Sequence, residues 1–483
     1  MELLHLSSEV IDEIAGHLIP SMADELAAFD PDPDIAACRI ALLSLAKTNI
    51  RLNTIAIRHL YHTVCIDDLR RLFTFLEALI LQPQLAERVR VLSIFAPLNE
   101  GLDPYTDKKS GEIFAALTPG MHAHRFLTPC FPDADFTSAA DLTWENCEDY
   151  PEAACALLLC LTDKLETLYL HLPAWNAGDY DALAAFFEGS WEQRKAESDP
   201  SYALLPHLST LSLTADPRAD DSILTDDMPQ ALMGGRAIKH LEVFGASLVG
   251  SPPDLLEEYA FLPERWSSLE SICLLGAHLS GTWWYLMCKE ARPPLQRVEL
   301  SLAPRYDEGG NGGGDADGPS YNEAFLLCAD RLEHLRIGSP GLVSGLPCLV
   351  SLTRLRYLEA SVTYIFSTPD AMRAADICDH LPSSLESLHL VDDLWEPWPA
   401  AEPLIAEDEY AGLLKGALVQ LLCGSTAKLP RLKRVCLRAS EKSWGDYHER
   451  PEMQSLCTVS SRVGSSILMD FLTLQRAGRG LGT

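Results

Sequence analysis

The side chains of this chain that could bind a metal, hold a phosphate or attack a substrate are few. None is grouped as such chemistry requires. His59 and His62 lie three residues apart, and His122 and His124 flank one alanine. A zinc site takes three or four ligands at recognisable spacing, and neither pair has a third. The 14 cysteines form no CxxC pair and no Cys/His metal pattern. Cys155 and Cys160 fall on an apolar helical stretch, where a thiol packs as a small hydrophobe. The segment Asp307–Gly318 is rich in glycine and aspartate but lacks the Gly-Lys-Ser/Thr that grips phosphates. It also lacks the bidentate glutamate that closes a calcium loop. It reads as a flexible insertion over 303–320. No G-x-S-x-G, H-E-x-x-H or dinucleotide fingerprint occurs. These residues predict no catalytic group, no metal and no cofactor, and therefore a protein that works by binding.

The chain has 483 residues, 47% of them hydrophobic and 22% charged, with a formal net charge of −31. That is apolar matter for a large core, and it argues against wholesale disorder. So acidic a surface repels phosphate backbones and anionic leaflets, so neither nucleic acid nor a membrane is an expected partner. Glu2, Glu9, Asp12 and Glu13 interrupt any secretory apolar stretch. The densest apolar run, Ala153 to Leu161, is too short to span a bilayer. Cysteines this sparse imply reduced thiols and a cytoplasmic or nuclear setting.

Two kinds of element must position whatever does the binding. Over residues 6–18, Val10, Ile11, Ile14 and Leu18 recur at helical spacing, with Ser7 placed to cap the helix. Pro20 ends it. A second helix carries Leu42, Leu45 and Ala46, a third Leu52, Ile55, Ala56, His59 and Leu60, and Thr63–Ile66 reads as a strand. The run Leu6-Ser7-Ser8-Glu9-Val10-Ile11, with Ile14 and Leu18, then Leu42-Leu43-Ser44-Leu45, Arg51-Leu52 and His59–Val64, resembles the F-box, in its filamentous-fungal form. Ser7 stands where that pattern has proline, Ala15 where it has a large residue, and Asn49-Ile50 where it has cysteine and a basic residue. The resemblance implies a substrate-recognition subunit of a cullin-type ubiquitin ligase, held by a Skp-type adaptor. The adaptor-facing residues it implies are Leu6, Glu9, Val10, Ile11, Ile14 and Leu18, with Leu42 and Leu45 behind them. The alternative is a non-ligase repeat scaffold whose N-terminal helices only cap the array.

From residue 89 a hexamer recurs, aliphatic-x-x-aliphatic-x-aliphatic, ten times from Val89–Ile94 to Leu432–Leu437. Its second position is always polar: Arg90, Glu166, Ser209, Lys239, Glu270, Gln296, Glu333, Arg356, Glu386 and Lys433. Helical stretches precede several copies, at Ala153–Leu161, Ala182–Phe187, Tyr321–Ala329 and Ala371–His380. Some end in Leu-Pro steps such as Leu205-Pro206, where proline should push the leucine into extended geometry. Strand and helix alternating at a recurring distance resemble leucine-rich repeats. The spacing averages about 33 residues between Leu165 and Leu432, longer than the usual repeat.

The expected fold is an α/β solenoid, an irregular leucine-rich-repeat horseshoe with parallel strands on its concave face, behind a small three-helix module. The expected domains are the module at 1–66, a linking helix at 67–88, the repeats at 89–440, and a C-terminal cap or tail at 441–483. Alternation sends the aliphatic positions to the core and those between them to the concave face. There they predict a partner-binding surface for a target protein, made by Tyr169, Glu242, Glu299, Arg336, Tyr357, Glu359, His389 and Arg434.

Overall fold

The computed structural model describes residues 6–18, 33–95, 151–172, 205–215, 238–244, 247–248, 267–279, 284–285, 287–302, 321–338, 346–366, 376–392, 413–414, 416–421, 427–440 and 468–474. It divides into two compact units, Met1–Ile238 and Lys239–Thr483. The expected helix over Ala182–Phe187, His122 and His124, and the glycine-rich insertion 303–320 lie outside the described residues.

The first unit opens with three helices, α1 (Ser8–Gly16), α2 (Pro33–Ala46) and α3 (Ile50–Leu60). Ser7 caps α1 by accepting from the Val10 N–H at 3.4 Å. Asn49 caps α3 by accepting from the Leu52 N–H at 2.9 Å. Two of the positions that depart from the F-box pattern are therefore helix caps, each satisfying a backbone donor that the helix itself leaves open. The third, Ala15, is fully buried. Asn49→Ala should cost about 1 kcal/mol; an unfolding midpoint unchanged in urea would refute the capping role.

These helices bury a core of their own, made of Ile11, Ala15, Leu42, Leu52 and Ile55, with Leu6, Leu18, Leu45 and Leu60 packed at its edge. Polar contacts fix α1 on α3. The His59 Nε2 lies 2.8 Å from Asp12 Oδ1, and Arg58 pairs with the same carboxylate at 3.2 Å. Arg51 donates to the Leu6 carbonyl and the Ser8 hydroxyl. From α2, Arg39 reaches the Cys65 carbonyl at 3.4 Å.

Strand β1 (Thr63–Ile66) follows α3 after one turn, then α4 (Leu69–Leu81), a 3₁₀ segment Pro83–Arg88 and β2 (Val91–Ile94). Helix α5 (Pro151–Leu161), β3 (Thr167–Leu172) and β4 (Thr210–Ala215) complete the described elements of this unit. The four strands pair in parallel in chain order, Cys65 beside Ser93, Ser93 beside Tyr169, Tyr169 beside Ser212. The sheet thus starts at Thr63, earlier than the hexamer pattern alone places it, because β1 lacks the full hexamer yet pairs with β2.

In the second unit the strands are β5 (His240–Phe244), the short β6 (Ser247–Leu248), β7 (Ser271–Leu279), β8 (Arg297–Leu302), β9 (His334–Gly338), β10 (Tyr357–Ser361), β11 (Ser387–Asp392), β12 (Arg434–Ser440) and β13 (Leu468–Leu474). They pair in parallel with sequence neighbours, except that β6 lies off the path against the far end of β7. Helix α6 (Tyr321–Leu327) lies between β8 and β9 in the chain, and α7 (Val362–Ile365) follows β10. Strand β13 falls in the stretch expected to be a cap or tail. Of the helix expected over Ala371–His380, the described part is a 3₁₀ turn, Ile377–Asp379, capped by Asp376.

The hexamer now has a mechanical meaning in each unit. Its aliphatics are buried without exception, from Val89, Leu92 and Ile94 to Leu432, Val435 and Leu437. Each fully buried leucine or isoleucine contributes roughly 1.5–3 kcal/mol through the hydrophobic effect. Its polar second residue stands at the start of each strand and extends the ladder. Glu166 N–H donates to the Arg90 carbonyl at 2.8 Å, Glu333 to Gln296, Arg356 to Glu333 and Glu386 to Arg356, each also at 2.8 Å. Their side chains sit in a solvated row where opposite charges meet, as in Arg90–Glu166 at 3.2 Å and Lys239–Glu270 at 2.9 Å. That is why this position is always polar: it sits at the water-facing rim of every repeat.

One backbone expectation is corrected. Leu205, before Pro206, has φ of 48° rather than an extended conformation. Its carbonyl accepts from the Leu208 N–H at 3.1 Å and its side chain is buried. The turn and the buried leucine together hold the left-handed geometry against the local preference.

Candidate functional site

Two surfaces carry the residues singled out by sequence. On the helical module, Glu9, Val10 and Ile14 are exposed, the two aliphatics 41% each. Ile11 and Leu42 are 1% exposed and belong to the module's interior. Leu6, Leu18 and Leu45 are half-buried against that interior. The expectation that Ile11 is adaptor-facing is thus corrected: together with Leu42, expected behind that face, it holds the helices together, because a three-helix packing needs the inner stripe for itself. The surface instead includes aliphatics that the motif did not bring forward, Ile40 (64% exposed), Leu43 (41%) and Ile50 (87%). Val10 and Ile14 share one face of α1, and Ile40 and Leu43 one face of α2. Helical periodicity identifies apolar stripes without saying which of two neighbouring stripes faces inward.

On the sheets, the positions between the aliphatics do share the face opposite the core, but they are less accessible than alternation predicts. Tyr169 is 7% exposed, Glu299 6%, Glu359 3% and His389 5%. Glu242, Arg336 and Tyr357 are half-buried, and Arg434 is exposed. Strands about 4.8 Å apart crowd long side chains into rows, so the centre of a row is covered by its neighbours.

In the second unit those rows form a connected polar cluster over β8 to β11. The Glu299 carboxylate receives Arg297 through Nε at 2.8 Å and Arg336 through Nη1 at 3.5 Å, with His334 Nε2 at 3.3 Å. Arg336 Nε also reaches Glu359 Oε1 at 3.1 Å, and the Tyr357 hydroxyl donates to Glu359 Oε2 at 2.7 Å. The His334 and Tyr357 rings stack at 4.2 Å with 2° between their planes, and His389 follows at 4.8 Å from Tyr357. His334 and the Arg297 guanidinium hold Glu299 at a pKa of about 2, against the opposing effect of burial. Burial, with Glu299 and Glu242 nearby, pushes the Cys273 thiol up to about 12. Such a thiol stays protonated and is no nucleophile. Alternation along the hexamers already puts Arg297, His334 and Cys273 on the outward face of their strands, although the partner-binding set did not include them.

Elsewhere, His59 is bonded to Asp12, and the His62 Nδ1 lies 3.3 Å from the Thr63 hydroxyl. Among the described residues no group of three His, Cys, Asp or Glu side chains could hold a metal. Among those residues, too, no helix is long and apolar enough to cross a membrane.

Parallel strands in chain order, buried hexamer aliphatics and a polar ladder at each strand's start define a leucine-rich-repeat-like fold. No family model matches the chain, and no curated protein matches it. Among solved structures 13 chains match. One is the leucine-rich-repeat ectodomain of the plant membrane receptor kinase GASSHO1/SCHENGEN3 from Arabidopsis thaliana, in complex with CASPARIAN STRIP INTEGRITY FACTOR 2. That likeness has 13% identity and a TM-score of 0.30, and covers 81% of this chain and 37% of that one. It is too distant to carry any argument about this chain.

Proposed function

We propose that this protein is a substrate-recognition (F-box) subunit of a cullin-type ubiquitin ligase, working in the cytoplasm or nucleus. The module formed by α1, α2 and α3 takes a Skp-type adaptor, and the polar sheet face takes the target protein. Catalysis belongs to the assembly, so this chain supplies no nucleophile or general base. One observation carries the reading. The module has an interior of its own, yet keeps Val10, Ile14, Ile40 and Leu43 in water. Helices that served only to cap the repeats would turn such aliphatics onto the first repeat. Several exposed aliphatics on so small a module are what a protein-binding surface would supply.

Co-purification with a Skp-type adaptor tests this. Wild type should retain the adaptor. Val10→Asp/Ile14→Asp should lower retention roughly a hundredfold, as loss of central interface aliphatics does, with no change in circular dichroism. If neither protein retains the adaptor, or both retain it equally, the reading is wrong and the module is a cap.

A further inference from the structure

The polar cluster of the second unit is unevenly exposed. Its carboxylates lie beneath and its cations lie above. The Glu299 and Glu359 side chains are 8% and 4% exposed, against 57% for Arg297 and 39% for Arg336. A molecule approaching this face meets guanidinium before it meets carboxylate.

The two arginines are also held in place. Arg297 uses Nε and Nη2 on Glu299, and Arg336 uses Nη1 on Glu299 and Nε on Glu359. Among the described residues, Arg297 Nη1 and Arg336 Nη2 take no part in these contacts. A guanidinium anchored along one edge keeps a planar donor edge oriented for a second carboxylate, and its ordering cost is already met on folding. The stacked His334 and Tyr357 rings stiffen the floor between the two.

A further cation stands at the far end of the same row. Register places Arg297 beside His334, His334 beside Tyr357, Tyr357 beside Ser387, and Ser387 beside Arg434. Four steps between strands put Arg297 and Arg434 about 19 Å apart, the reach of roughly six extended residues. All this lies on a chain of net charge −31.

From this layout we propose that the β8–β12 face is the target-binding site, and that it takes an extended, carboxylate-rich segment of the target laid across the strands. Glu299 and Glu359 position the arginines, Arg297 and Arg336 bind the segment's carboxylates at one end, and Arg434 marks the far end. The inference rests on reading the sheet face as the target surface, and is independent of how the adaptor is bound.

Fluorescence anisotropy of the full chain with labelled octaglutamate tests it, beside an uncharged Gly-Ser octapeptide and an oligothymidylate. A chain this acidic repels a polyanion in general, so any binding is local. Octaglutamate should bind more tightly than both other probes. Arg297→Ala/Arg336→Ala should weaken it roughly tenfold or more, and Arg297→Ala alone, at a largely exposed side chain, should weaken it measurably in a folded chain. Binding no tighter than Gly-Ser, or unchanged in the arginine variants, overturns the proposal, and tighter oligothymidylate overturns it in favour of nucleic acid. Val10→Asp/Ile14→Asp should leave octaglutamate binding intact, and the arginine variants should leave the adaptor bound, so the two readings fail separately.

Discussion

Ile11→Asp should unfold the helical module while Val10→Asp, one residue away, leaves it folded. Ile11 is 1% exposed in a core of five buried side chains, whereas Val10, one residue before it in the same turn, is 41% exposed. Losing the buried isoleucine costs about 2–5 kcal/mol, and an unpaired carboxylate in its place adds several more through desolvation. So small a core holds little reserve against a loss of that size. Hydrogen exchange read by mass spectrometry should show protection lost across α1, α2 and α3 in Ile11→Asp and kept in Val10→Asp. Equal protection in both variants would mean that the inner and outer stripes have been assigned wrongly. The contrast bears on any adaptor experiment, because a variant at Ile11 abolishes binding by melting the surface, and only Val10 and Ile14 probe the surface itself.

The parts of the fold that were legible in the sequence are those governed by short periods. The hexamer aliphatics are all buried, since alternation in a strand leaves a side chain only two faces to choose from. The polar second position was visible as a pattern, and its cause, a row at the rim of every repeat, became clear only with the strands in register. Caps were legible at Ser7, just ahead of a clear apolar stripe, and less so at Asn49, whose only signal is the capping chemistry of asparagine. Accessibility was the least legible property. Tyr169, Glu359 and His389 sit on the expected face, yet neighbouring strands cover them, and that covering depends on partners 23 to 76 residues away. Arg297 and His334 likewise fall on the outward face by alternation, but what they do there is not written in it. Their role exists only because register sets them around Glu299.

Glu299→Gln should destabilise the second unit by roughly 2–3 kcal/mol at neutral pH, and the loss should fade in acid. The carboxylate's folded pKa is lowered from 4.5 to about 2, with His334 the leading cause and Arg297 assisting. A depressed folded pKa means the group contributes its stability fully above the unfolded value near 4.5 and loses it as pH falls toward 2. At 1.36 kcal/mol per pKa unit the shift corresponds to about 3 kcal/mol. The glutamine keeps the size and some hydrogen bonding but removes the charge beneath Arg297 and Arg336. Denaturant unfolding of wild type and variant from pH 7 down to pH 3 should show two stability curves converging below about pH 4.5. A gap that stays constant with pH would place the cost in packing rather than charge. The buried carboxylate would then not be what holds the two guanidiniums in position, and the cationic upper layer of this face would need another support.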